Sequence, residues 1–62
     1  GKPDRKMFEA FEMKHGRPFF YVDDKPQNIE AGRKSGWFSH QFVNVDSFRT
    51  AFMERHNNKQ EI

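Results

Sequence analysis

No cysteine occurs in the 62 residues, which excludes disulfides and thiolate chemistry and suits a reducing compartment. No apolar stretch approaches the length needed to cross a bilayer, and the opening residues lack the pattern of a secretory signal. The expected setting is cytoplasmic, with no membrane partner. There is no basic run either. Eleven Lys and Arg are interspersed with nine Asp and Glu for a net charge of +2, too weak and too scattered to argue for a nucleic-acid partner. Internal repeats and low-complexity tracts are absent. Apolar residues are few, at 34%, and a chain of this size supports at most one small domain with a modest core.

Among those few apolar residues, eight are Phe, so burial has to rest on aromatics. The chain is organised around Phe19-Phe20-Tyr21-Val22-Asp23-Asp24-Lys25-Pro26-Gln27-Asn28. Four consecutive apolar residues, 19–22, predict a strand buried on both faces, as in a parallel sheet. Two adjacent carboxylates end the run, and Pro26 then presets the first turn of a helix. In open parallel α/β sheets the ligand crevice lies beyond the carboxyl ends of the strands. Neighbouring strand side chains point to opposite faces, so Asp23 and Asp24 share a target only if the strand stops at Val22 or Asp23 and the turn brings both round. Two hard oxygen donors suit Mg²⁺, which takes one or two carboxylates and keeps places for water and phosphate. Asn28 is placed to tie the loop or hold a carboxylate. A plainer reading makes Asp24 the cap of the following helix.

The flanks complete a helix-strand-helix-strand-helix order. A first helix opens at Pro3 or Asp4 and stops at Gly16, with Met7, Phe8, Ala10 and Phe11 as an apolar stripe expected in the core. A second helix spans about 26–35, with Ile29 and Gly32 on one face and Ala31 beside them, small residues that let its axis approach the sheet. Gly36 is its expected left-handed stop, with Trp37 packing back on the helix end. Residues 38–43 alternate Phe38, His40 and Phe42 with Ser39, Gln41 and Val43, a half-covered edge strand. Asp46 is the expected N-cap of a third helix carrying Phe48, Ala51 and Phe52, and a frayed tail follows from about His56, with 58–62 lying outside the domain of 1–57. The fold class is therefore α/β, part of a Rossmann-like parallel sheet. His15, His40 and His56 lack metal-ligand spacing, and Arg5-Lys6, Lys25 and Arg33-Lys34 read as solvated faces.

Taken together, Lys2-Pro3-Asp4 before the first helix, Phe20-Tyr21-Val22-Asp23-Asp24 with Asn28, Ile29-Glu30-Ala31-Gly32 and Gly36-Trp37 resemble the C-terminal part of a haloacid-dehalogenase (HAD) superfamily hydrolase, over about residues 1–52. The resemblance implies that Lys2 steadies the nucleophile and the phosphoryl group. It implies that Asp23 and Asp24 hold Mg²⁺, with Asn28 closing the family's Asp-Asp-x-x-x-Asn form. It further implies a Mg²⁺-dependent phosphatase acting on a phosphorylated small molecule, although dehalogenase and mutase chemistry belong to the same superfamily. The family's nucleophile sits in an Asp-x-Asp motif, and none occurs in this chain. The resemblance thus implies an incomplete core, a fragment inactive alone. Its partner would be the remainder of the core, carrying the missing strand, or a second copy along the edge formed by Phe19, Phe20, Tyr21 and Val22. Two other classes compete. A response-regulator receiver also ends a strand in an acidic pair, but its phospho-accepting Asp ends a later strand, where this chain has only Asp46. A non-catalytic interaction module would use exposed aromatics, with no specific motif behind it.

Overall fold

A computed structural model describes residues 5–60. Its elements are α1 (Arg5–His15), β1 (Tyr21–Asp23), α2 (Pro26–Lys34), β2 (Ser39–Gln41) and α3 (Val45–Gln60). β1 and β2 pair in parallel, with Tyr21 opposite Ser39, Val22 opposite His40 and Asp23 opposite Gln41. The class is α/β, built among the described residues on a two-stranded parallel sheet.

Glycine ends the first two helices by adopting a left-handed conformation that side chains disfavour. Gly16 has φ +80°, and its N–H reaches the Glu12 carbonyl at 2.7 Å. Gly36 has φ +83°. Its N–H donates to Arg33 O and that of Trp37 to Gly32 O, each at 2.9 Å, which is the paired bonding of a Schellman stop. Trp37 is thereby folded back into the core. The start of α2 differs from the capping alternative: Lys25 occupies the N-cap position, no side chain caps it, and Pro26 opens the helix. Asp24 is not the cap.

Alternation along the strands sorts the aromatics onto two faces. On one, Tyr21 meets Phe8 and Trp37 with ring centroids 5.8 and 5.4 Å away, and α2 lies close by. A Cβ on Gly32 would stand 2.5 Å from Ser39 Oγ and 2.9 Å from Tyr21 Cδ2, so the helix approaches as closely as glycine allows. On the other face Phe20 packs against Phe38, Phe48 and Phe52 at 5.5, 5.8 and 5.4 Å, which seats α3.

Several expectations are corrected. The α1 stripe is not all core: Phe8 is 4% exposed, but Met7 is 64% and Phe11 44%, because α1 meets the sheet through one narrow seam where Phe8 enters between Tyr21 and Trp37. The first strand is not buried on both faces, since α3 covers Phe20 and leaves Val22 37% exposed. Both strands are three residues long, shorter than the apolar pattern, and the first includes Asp23. The cap of α3 is Asn44, whose Oδ1 accepts the Ser47 N–H at 2.8 Å. Asp46 lies in the first turn instead, where its charge still favours the positive helix end. α3 runs on through His56 to Gln60, since neither Gly nor Pro follows Asn44 to stop it.

A side-chain bond ties α1 to the end of α2. Trp37 Nε1–H donates to Glu12 Oε1 at 2.7 Å, and Arg17 Nε lies 3.4 Å from the same oxygen. The Trp37 bond chiefly, with Arg17 adding and desolvation opposing, holds the Glu12 carboxyl below its ordinary 4.5. The folded state therefore favours the carboxylate. The stability this contributes is complete above pH 4.5 and is lost as pH falls through the lower folded value. Glu12→Gln, which does not ionise, should flatten the dependence of melting temperature on pH in that acid window. Parallel curves for the two proteins would show that the contact contributes nothing.

Candidate functional site

The carboxyl end of β1 places Asp23 on the same face as Tyr21, two residues earlier, and beside the first turn of α2. Three donors converge on it. The Lys25 N–H reaches Oδ1 at 2.8 Å, Asn28 Nδ2 reaches Oδ2 at 3.0 Å, and the Tyr21 hydroxyl reaches Oδ2 at 3.1 Å. The Lys25 N–H is the main cause of a carboxyl pKa below the ordinary 3.8; desolvation opposes it, while the Asn28 and Tyr21 donors lower it further. Burial, and then Asp23, pushes the Tyr21 hydroxyl up, so it stays a neutral donor at physiological pH. The chain bends at Asp24, whose side chain is exposed, directly after the anchored Asp23. Gln41 Nε2 donates to the Asp24 carbonyl at 3.3 Å, tying the bend to the end of β2.

Asn28 is therefore joined to Asp23, and Asp24 follows at the bend with its carbonyl tied to Gln41. Lys2 lies outside the described residues. His15 stacks on Phe11 at 4.8 Å and His40 on Phe20 at 5.9 Å, while His56 is exposed on α3; none stands in the Asp23 cluster. Among the described residues no three His, Cys, Asp or Glu side chains gather into a metal cage. Two adjacent carboxyls with hard oxygens, one held in place by donors, do fit the partial protein share that Mg²⁺ accepts, the remaining positions going to water and phosphate. Sequence reasoning missed Tyr21 and Gln41. The period of two along a strand points to Tyr21, which shares a face with Asp23; nothing local points to Gln41.

No protein-family model, curated protein or solved structure matches the chain. None of the described helices is long and apolar enough to cross a membrane.

Proposed function

We propose that this chain is the lysine- and metal-bearing part of a Mg²⁺-dependent phosphate-monoester hydrolase of HAD-like architecture, with the nucleophile supplied from outside these residues. The observation that supports this reading most is the Asp23 carboxylate, held by Lys25 N–H, Asn28 and Tyr21 at the carboxyl end of a parallel strand. Asp23 and Asp24 would hold the ion, Asn28 would orient Asp23, and Lys2 would steady the phosphoryl group of a small phosphorylated substrate. When bound, Mg²⁺ neutralises phosphate charge and lines up the attack. The cytoplasm, free of disulfide chemistry, belongs to the same reading. The chain alone is inactive, and its partner is the rest of such a core or a second copy.

Mg²⁺ titration of the chain, followed through the carboxyl ¹³C signals, tests the metal site. Saturable shifts should appear at Asp23 and Asp24, at about millimolar concentrations because the protein's share of ligands is small, and Asp46 should stay still. Asp24→Asn should abolish them. Small, unsaturable shifts spread equally over all carboxyls would remove the metal from the reading.

A further inference from the structure

We infer that the outer edge of β1 takes β1 of a second copy of this chain, antiparallel and centred on Val22, joining the two sheets in the order β2-β1-β1-β2. The pairing rests on backbone directions and needs no metal at Asp23 or Asp24. The Tyr21 N–H donates to Phe38 O at 2.9 Å, and Asp23 O accepts the Phe42 N–H at 2.8 Å. Both residues thus commit main-chain groups to β2. Val22, between them, turns its N–H and its carbonyl outward. The outer edge of β2 is blunted instead, because the Arg33 guanidinium holds the Ser39 carbonyl at 3.3 Å. One open and one blunted edge favour a closed pair of chains over a growing sheet.

A residue whose donor and acceptor point the same way is complementary to itself. Across a twofold axis perpendicular to the sheet, each Val22 N–H meets the other Val22 carbonyl, the hydrogen-bonded pair of an antiparallel ladder. A parallel copy in equal register fails, since Val22 would then need the neighbours of the residue opposite, whose main-chain groups face away. The same axis keeps the layers in order: both α3 helices fall on one face, and both α1–α2 pairs on the other. Val22 projects on the α3 face, where it is 37% exposed. The axis sets it beside its copy and buries apolar surface that one chain leaves to water. On the opposite face, Tyr21 of one copy stands across from Asp23 of the other, so each copy adds a residue beside the other's anchored carboxylate.

The chain has no cysteine, so Val22→Cys carries a single thiol. In a hydrogen-bonded antiparallel pair the two Cα atoms lie about 5.5 Å apart, within the span of a disulfide. The full wild-type chain should sediment as a weak dimer, and as nothing larger, as concentration rises. On oxidation Val22→Cys should cross-link at least about tenfold faster than Val43→Cys, whose site is more exposed but lies beyond β2 and away from the axis. In a mixture of ¹³C-labelled and unlabelled wild-type chains, α-proton contacts should join Tyr21 of one copy to Asp23 of the other. An assembly that keeps growing, equal cross-linking at both positions, or contacts in a parallel register would overturn the pairing. So would a chain that stays monomeric, whether its Val22 amide exchanges freely or is covered by another segment of the same chain. No metal enters these measurements, so their failure and that of the Mg²⁺ titration are told apart.

Discussion

In the Mg²⁺-dependent hydrolase proposed above, Asp24→Asn should lower turnover about a hundredfold or more, with a raised Mg²⁺ requirement and an almost unchanged melting temperature. The separation of effects follows from where Asp24 sits. Its side chain is exposed at a bend, so removing the charge disturbs little packing, and surface changes of this kind usually stay within about 0.5 kcal/mol. Asp23→Asn should be as damaging to turnover but less clean. Its amide would have to present one NH₂ group either to the Lys25 N–H or to the donors Asn28 and Tyr21. With the oxygen kept toward Lys25, the Asn28 amide would have to flip and the Tyr21 hydroxyl turn to accept, exchanging charge-assisted bonds for neutral ones at a cost of about 1 kcal/mol. The pair is thus graded: Asp24→Asn isolates chemistry, while Asp23→Asn mixes chemistry with local stability. If the Asp23, Asp24 double variant kept wild-type turnover and metal dependence, the assignment of both carboxylates would fall.

Much of the site was legible because its determinants are local. The apolar run, the acidic pair, Pro26 and Asn28 lie within ten residues, and the bonds that hold Asp23 span only two to five positions. The stops at Gly16 and Gly36 were legible for the same reason, since a left-handed residue after an amphipathic segment is a short-range signal. Gly32 is a milder case: its smallness suggested close approach, but only the fold shows that Ser39 and Tyr21 are what it approaches.

The features that sequence reasoning got wrong depend on distant partners. Met7, Phe8 and Phe11 share helical spacing, yet only Phe8 finds the seam between Tyr21 and Trp37. Periodicity tells which residues face alike and not how wide the opposing surface is. Asn44 and Asp46 are both good caps by residue type, and the choice fell to Asn44 because α3 starts at Val45. Arg55 gave no local hint at all. One turn beyond Phe52, its guanidinium lies 5.0 Å from the Phe19 ring centre and 4.7 Å from that of Phe38, and its Nε donates to the Phe19 carbonyl at 3.3 Å. A cation closing an aromatic stripe is indistinguishable, in sequence, from an ordinary solvated arginine.

The isolated chain should not behave as a stable monomer, and the sheet indicates where it associates. The Tyr21 N–H donates to Phe38 O at 2.9 Å and the Phe42 N–H to Asp23 O at 2.8 Å, so Tyr21 and Asp23 turn their main-chain groups toward β2. By the alternation of a parallel ladder, Val22 turns its N–H and carbonyl to the far edge of β1. The far edge of β2 is blunted: the Arg33 guanidinium covers the Ser39 carbonyl at 3.3 Å. Among the described residues no hydrogen bond of that kind protects Val22, whose side chain is also well exposed, and an unprotected apolar edge is a template for another strand. The core offers little resistance, since Phe8, Ile29 and Trp37 are the buried hydrophobic residues among those described, fewer than a domain of this size needs to stand alone. Sedimentation should therefore show association that weakens on dilution, with the Val22 amide protected from exchange only in the associated form. Val22→Pro removes the outward N–H without touching the β2 ladder, a substitution an edge strand tolerates, and should shift the equilibrium to monomer. A wild-type chain that sediments as a monomer at every concentration, with Phe20 and Val22 amides strongly protected, would show that this edge is already satisfied and that the fold needs no partner there.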